Sequence, residues 1–197
     1  MVVIDPAHGG TDSGARGPNG VFEKNIVLEY ARMLRAEFER QGMRAVLTRN
    51  DDSNPSYDDR VGAANVYRDV IFISLHLSST GAANTARCYF DVLTAVSASP
   101  APANALVSWD EAQLGHLPAS KRLAALIQLQ LAQAFSGSPT QPVEAPIRQL
   151  RSAEGPAVAV EVSNVVASGP DILAAEGPPL ASAIVRSVEA FRASGSN

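Results

Sequence analysis

The chain has 197 residues, of which 46% are hydrophobic and 18% are charged, values that fit one soluble globular domain. Its net charge of −4 and pI of about 5.4 argue against nucleic acid or an anionic membrane as the main partner, because both call for a basic surface. No apolar run is long enough to span a bilayer. A single cysteine, Cys88, excludes an internal disulfide, and we interpret it as a small buried hydrophobic side chain.

The first part of the chain alternates between short apolar runs and segments of helical periodicity. Residues 2–5 predict a buried strand, and the glycine-rich segment after them predicts a loop. Apolar residues recur at near-helical spacing over 23–41, which predicts a helix. Residues 45–48 predict a second strand, and a polar helix is expected after Pro55 and Ser56, through about Arg68.

The second part continues the alternation. The nearly continuous apolar run 70–75 is typical of a central strand that is buried on both faces. Residues 86–92 and 157–162 predict further strands, and the apolar stripes of 121–135 and 179–191 predict helices. Together these elements predict a single α/β domain over the whole chain, with a twisted, mostly parallel or mixed sheet and helices on both faces.

Polar side chains lie at the ends of three predicted strands. His8 follows the first strand, His76 ends the central strand, and Glu161 lies near the end of the late strand. Sites in such sheets form outside the carboxyl ends of the strands, so parallel strands would gather these residues at one edge. Two imidazoles with a carboxylate suit zinc, which keeps a fourth position for water in catalytic sites. On spacing alone, structural or surface histidines are the alternative.

The sequence around these residues resembles N-acetylmuramoyl-L-alanine amidase family 3. The motifs follow the family's order and together cover residues 2 to about 191. The matching stretches are 3–15, Glu23 with Lys24, 47–49, Arg60 with Ala64 and Asn65, 73–76, and 156–161.

The chain departs from the family pattern at three places. Ala7 stands where the family usually has glycine, and Leu77 with Ser78 replace the usual alanine and asparagine. Residues 162–164 replace a run of the glycine-phenylalanine type. None of these changes removes a metal ligand or the catalytic carboxylate that the resemblance implies.

The resemblance implies specific roles for four side chains. His8, Glu23 and His76 would hold Zn²⁺, and Glu161 would be the catalytic carboxylate that moves the proton. The implied reaction is hydrolysis of the amide bond between N-acetylmuramic acid and L-alanine in peptidoglycan or a muropeptide. The implied location is periplasmic or extracellular. Met1 is followed almost directly by an apolar run with no basic leader before it. We therefore expect either that the chain works in the cytosol or that its export signal is not part of this sequence, and the resemblance favours the second.

Further groups could support this site. Asp5 and Asp12 are candidates for orienting a ligand imidazole, with loop hydrogen bonding as the alternative. The Ala/Pro/Ser-rich segment 94–119 is interpreted as an excursion from the core that partly covers the site. As the resemblance implies, Glu111 or His116 of this segment could block the metal until a partner, an activator protein of unknown identity, displaces it; a surface loop is the alternative.

Two other functions share these features. One is a peptidoglycan-binding module of the same fold with little activity, weakened by the altered flanks of His76 and Glu161. The other is a zinc carboxypeptidase that acts on stem peptides, because a His, Glu, His ligand set also occurs in that class. The products of the reaction would separate these functions from the amidase.

Overall fold

The structure is a computed structural model that describes residues 1–92, 109–162 and 164–194. In these residues six strands form one sheet, in the order β2-β1-β3-β6-β4-β5. The strands are β1 (Val2–Pro6), β2 (Ala45–Leu47), β3 (Ile71–Leu77), β4 (Ala86–Asp91), β5 (Val143–Ala145) and β6 (Ala157–Val162). The α-helices are α1 (Glu23–Arg40), α2 (Tyr57–Asn65), α3 (Leu117–Ala134), α4 (Arg148–Arg151) and α5 (Pro170–Ala193).

Strand direction decides where the polar strand ends meet. β1 runs parallel to both β2 and β3, and β3 runs parallel to β6. Only the far side of the sheet is mixed, since β4 is antiparallel to β6 and parallel to β5. The carboxyl ends of β1, β3 and β6 therefore lie at one edge, and the predicted α/β domain with a mixed sheet is confirmed.

Helices cover both faces of the sheet. Helices α1, α3 and α5 pack on one face, where Tyr30, Leu34 and Phe38 of α1 are buried in the larger apolar core. Helices α2 and α4 cover the other face through a smaller core that includes Val61 and Leu150. No helix within the described residues is long and apolar enough to cross a membrane.

The cysteine behaves as the composition predicts. Cys88 lies on β4 and is fully buried. Burial raises the pKa of its thiol, because the thiolate would have to form in an apolar environment. Cys88 is therefore a packing residue rather than a nucleophile.

Two element boundaries differ from the prediction because tertiary contacts override local signals. β3 continues to Leu77, so His76 lies inside the strand rather than at its end. Helix α5 starts at Pro170 and contains Pro178 and Pro179, although proline usually starts or breaks a helix. Gly177 packs its backbone against Met33 and the Tyr30 ring, and this contact with α1 favours one continuous helix.

The excursion at 94–119 is only partly described. Residues 93–108 lie outside the described residues, so the expected cover over the site cannot be located there. Residues Trp109–His116 form a 3-10 helix, and α3 begins directly after it. Within this helix the buried Gln113 donates hydrogen bonds to the carbonyl oxygens of Ala153 (2.8 Å) and Gly155 (2.9 Å). These hydrogen bonds fix the 3-10 helix Trp109–His116 to the segment that leads into β6.

A carboxyl group is buried between α1 and α5. Glu176 is 5% exposed, and the Tyr30 hydroxyl lies 3.3 Å from its Oε2. Its Oε1 has no hydrogen-bond partner within the described part of the chain. Burial raises the pKa of Glu176 to about 7, and the Tyr30 hydrogen bond opposes that shift only in part.

This pKa predicts a loss of stability with rising pH. The folded protein holds the Glu176 proton more tightly than the unfolded chain does. The contribution of this protonated carboxyl group to the free energy of unfolding is therefore fully present below pH 4.5 and is lost as the pH rises through about 7. We expect Glu176→Gln to raise the free energy of unfolding at pH 8 by about 2 kcal/mol, with little change at pH 4. Urea unfolding at both pH values measures this, with the exposed Glu189→Gln on the same helix as the control. A gain of equal size at both pH values would contradict the assignment.

Candidate active site

The chain turns sharply after β1, and this turn carries the first histidine. His8 has a φ of 63°, Gly9 of 135° and Gly10 of 54°. Such values are strained for a residue with a Cβ, which makes His8 a backbone outlier of the kind found at functional sites. A Cβ on Gly9 would collide with the carbonyl oxygen of Ser53, so the close approach of the two loops requires glycine there.

Two buried arginines hold this turn. Arg60 forms an ion pair with Asp5 (Nη1–Oδ1 2.7 Å) and donates to the carbonyl oxygen of His8 (2.8 Å). Arg49 donates to the carbonyl oxygens of Pro6 (2.8 Å) and Ala7 (3.0 Å). Because both guanidinium groups donate hydrogen bonds to this loop, they stabilise the conformation of the turn.

Three of the predicted residues meet in one group. Glu23 is the first residue of α1, and its Oε1 lies 3.1 Å from His8 Nε2 and 3.3 Å from His76 Nδ1. One donor atom from each residue lies within 4.8 Å of the others. Donors around a tetrahedral zinc ion, at about 2.0–2.1 Å from it, lie roughly 3.4 Å apart. The donor types and their spacing therefore fit a zinc ion.

Glu23 is buried and is held as an anion by hydrogen bonds. It is 4% exposed, and its two oxygens accept hydrogen bonds from the backbone amides of Ala15 (2.8 Å) and Leu77 (2.9 Å). Burial alone would raise the pKa of Glu23, but hydrogen bonds from His76, His8 and these amides hold it well below its usual range. The same contacts therefore favour the charged form of the carboxylate.

The His8 ring is oriented by Asp12. Asp12 Oδ2 lies 2.8 Å from His8 Nδ1, so the other ring nitrogen faces Glu23. The hydrogen bond with Glu23 is the main cause that raises the pKa of His8, and Asp12 adds to it against burial. A Cβ on Gly14 would lie 2.5 Å from Glu23 Oε2 and 2.6 Å from His8 Cδ2, so glycine is needed for this close packing.

The His76 ring is held through its other nitrogen. Nε2 lies 3.2 Å from Ser74 Oγ, and the Ser74 hydroxyl donates to Asp5 Oδ2 (2.9 Å). Asp5 therefore acts on His76 through Ser74, and the Gln149 side-chain amide lies 2.9 Å from the same Nε2. Ser74 could have been found in the sequence, because it lies two residues before His76 on the same strand face. Gln149 had no such signal, since the four-residue α4 was not predicted.

Glu161 lies beside this group on the neighbouring strand. It pairs with His76 in the parallel register of β3 and β6, so the two side chains share a face of the sheet. The Tyr89 hydroxyl donates to Glu161 Oε1 at 3.3 Å. Burial, and then the Glu161 charge, raise the pKa of Tyr89, which keeps the phenol protonated. Sequence reasoning missed Tyr89, because nothing local to β4 indicates that it faces β6.

Two cavities flank these side chains. A cavity of about 390 Å³ is lined by His8, His76, Tyr57 and Arg148, among others. A second cavity of about 190 Å³ includes Glu161. Neither Glu111 nor His116 belongs to the potential metal-binding group found among the described residues.

The domain thus brings His8, Glu23 and His76 together at the edge of an α/β sheet as a group that could hold a metal ion, with a further carboxylate beside it. A sequence profile of the N-acetylmuramoyl-L-alanine amidases matches residues 2–168. The chain belongs to this family of enzymes, as its motifs indicated.

Individual relatives agree with the assignment. The chain is 37% identical over 106 residues to the amidase AmiC of Escherichia coli O6:H1, which covers 45% of this chain and 25% of that protein. It is 42% identical over 82 residues to the sporulation-specific amidase of Bacillus subtilis, covering 41% of this chain and 32% of that protein. The matched segments thus span only about a quarter to a third of these relatives.

Solved structures show the same fold. The amidase AmiC2 of Nostoc punctiforme superposes with a TM-score of 0.73 at 24% identity, covering 96% of this chain and 95% of that one. The CwlD amidase of Clostridioides difficile, solved in complex with the GerS lipoprotein, gives a TM-score of 0.72 at 21% identity, with 98% of both chains covered. At these identities the likeness concerns the fold.

Proposed function

We propose that this chain is a zinc-dependent N-acetylmuramoyl-L-alanine amidase, which hydrolyses the amide bond between N-acetylmuramic acid and L-alanine in peptidoglycan. The observation that carries the proposal is the group formed by His8, Glu23 and His76, with Glu161 next to it on the sheet. Family membership supplies the class of substrate.

The three-residue group is proposed to hold the zinc ion. His8 would bind through Nε2 and His76 through Nδ1, since these nitrogens face the Glu23 carboxylate. When bound, zinc supplies a Lewis acid that acidifies water and polarises the amide carbonyl. Asp12 accepts from the Nδ1–H of His8, which leaves Nε2 for the metal. At His76 the Ser74 hydroxyl gives its proton to Asp5 and accepts from Nε2–H, which requires Gln149 to turn its amide oxygen rather than its nitrogen toward the same atom.

Glu161 is proposed to move the proton. Its carboxylate accepts a proton from the attacking water and passes it to the departing amine of L-alanine. The Tyr89 hydroxyl, which donates to Oε1, fixes the orientation of the carboxylate and leaves its second oxygen for water. Glu161 is neither fully buried nor fully exposed, so water reaches it.

The class of substrate also determines the cellular location that we propose. Peptidoglycan lies outside the cytoplasmic membrane, so we propose that the chain works in the periplasm or extracellularly, on peptidoglycan or a muropeptide. The complex of the Clostridioides difficile relative with GerS motivates a search for a partner protein, which we propose as an activator of unknown identity.

The test combines metal analysis with product analysis. Protein purified without chelator is expected to contain about one zinc per chain and to lose hydrolysis on stable removal of zinc. On purified peptidoglycan, the expected products are free stem peptides that start with L-alanine and a glycan that keeps its lactyl groups. Release of a terminal amino acid would instead indicate a carboxypeptidase. Binding to the wall without any product would indicate a binding module, and full activity of metal-free protein would contradict the zinc mechanism.

A further inference from the structure

The smaller cavity lies on the β4 side of Glu161. It has a volume of about 190 Å³ and is lined by Ser78, Thr80, Arg87 and Glu161 itself, among others. Arg87 lies on β4, the strand next to β6, and is paired with Glu161 in the antiparallel register. The cavity therefore combines the proposed proton carrier with a guanidinium group one strand away.

Arg87 is available for an anionic ligand. It is exposed, and it forms no salt bridge with Glu161 or with another carboxylate in the part of the chain that the structure describes. Its guanidinium interacts with the Tyr89 side chain through a hydrogen bond and lowers the pKa of Tyr89, in opposition to the larger effect of burial. A guanidinium has five N–H donors, so donors remain for a ligand beside this contact. A planar guanidinium binds a carboxylate through two parallel hydrogen bonds, so Arg87 is the group of this lining that would bind one. Glu161 in the same lining repels a carboxylate, so the ligand must approach from the Arg87 side.

The loop 78–85, which contributes most of the lining of this cavity, is held in place. The Ser78 amide donates to the carbonyl oxygen of Val162 (2.8 Å), which ties the start of the loop 78–85 to the end of β6. Asn164 Nδ2 donates to the carbonyl oxygen of Gly81 (2.7 Å), which ties its middle. These contacts keep the cavity formed before a ligand arrives, which reduces the entropic cost of binding.

The proposed chemistry decides which part of the substrate enters this cavity. Glu161 gives its proton to the departing amine, so the peptide must lie on the Glu161 side of the scissile bond and the glycan on the opposite side. Adjacent strands lie about 4.8 Å apart, and one residue of extended peptide spans about 3.5 Å. A side chain on β4 is therefore at the right distance for the residue that follows L-alanine.

We propose that Arg87 binds the free carboxylate of the stem-peptide residue that follows L-alanine, and so selects substrates with an acid rather than an amide at that position. The inference rests on the proposed function, because the direction of the peptide depends on the role of Glu161. The competing cation is Arg148 in the larger cavity, where its guanidinium lies 5.3 Å from the centre of the Tyr57 ring.

Two substrates that differ in one group test this site. N-acetylmuramoyl-L-alanyl-γ-D-glutamyl-L-lysine has a free α-carboxylate on the residue that follows L-alanine, and this group is an amide in N-acetylmuramoyl-L-alanyl-D-isoglutaminyl-L-lysine. In both compounds the γ-carboxyl group of that residue forms the peptide bond to lysine. The unmodified protein is expected to have the lower KM for the acid. In Arg87→Gln the KM for the acid should rise roughly five- to tenfold with kcat nearly unchanged, which removes the preference. Arg87→Lys should keep part of the preference for the acid. Arg186→Gln, at an exposed position on α5, should keep all of that preference.

The other outcomes are distinguishable. An unchanged acid-to-amide ratio in Arg87→Gln, or a preference that disappears in Arg148→Gln instead, would overturn the proposal. If the unmodified protein hydrolyses neither compound, the proposed function fails for these substrates. Calorimetry with the free peptides L-alanyl-γ-D-glutamyl-L-lysine and L-alanyl-D-isoglutaminyl-L-lysine then decides on Arg87 alone. Tighter binding of the acid that is lost in Arg87→Gln supports the site, and equal binding of both peptides overturns it.

Discussion

Glu161→Gln is expected to lower kcat by about 10²- to 10⁴-fold while the zinc content stays unchanged. The amide has nearly the shape of the carboxylate and can still meet the Tyr89 hydroxyl, but it cannot accept the proton from water. Because Glu161 is not part of the group of His8, Glu23 and His76, the metal should remain bound. Steady-state kinetics on a soluble muropeptide, together with elemental analysis of the same preparation, measures both quantities.

A matched variant separates the carboxylate from its neighbour. Tyr89→Phe removes the hydroxyl that orients Glu161 but leaves the carboxylate, so we expect only a loss of severalfold in kcat. Full activity of Glu161→Gln would mean that Glu161 serves packing or substrate binding. Loss of zinc together with activity would mean that Glu161 is a metal ligand.

His76→Ala is expected to weaken zinc binding by more than about 100-fold. Replacing a residue that only hydrogen-bonds to a metal ligand typically lowers metal affinity 10- to 100-fold, and this substitution removes a direct ligand. Only His8 and Glu23 would then remain, which is one ligand fewer than catalytic zinc sites use. Competition with a chromophoric chelator measures the affinity without relying on catalysis.

The control for this variant is another histidine of the same chain. His116 ends the 3-10 helix before α3 and does not belong to the metal-binding group. His116→Ala should bind zinc as tightly as the unmodified protein. If His76→Ala retained that affinity as well, the proposed ligand set would be wrong. If His116→Ala lowered it, the excursion would have to reach the metal.

Local patterns predicted most of the fold. The buried strands β1, β3 and β6 are apolar runs, and α1 has a regular apolar stripe, so each was visible from the residues alone. The short elements β5 and α4 were missed, because three or four residues carry no periodic signal. Helix α5 was predicted too short, since its prolines indicate a helix start unless packing against α1 is known.

The sequence by itself determined the family and the candidate ligands. His8, Glu23 and His76 were recognised by their motifs, and the strand-end rule placed both histidines and Glu161 at one edge. Glu23 does not follow a strand, so the rule could not place it at that edge. Only its motif linked it to the site. Its place beside the histidines depends on how α1 begins after the glycine-rich loop.

Only the tertiary structure decided what surrounds these groups. Ser74 and Gln149 meet at His76 Nε2 although they are 75 residues apart, and Arg87 faces Glu161 because β4 is antiparallel to β6. The direction of β4 and the position of α4 follow from which strands pair and which faces pack. The residues near each contact contain no signal for those choices, because they arise from the burial of two cores on opposite sides of one sheet.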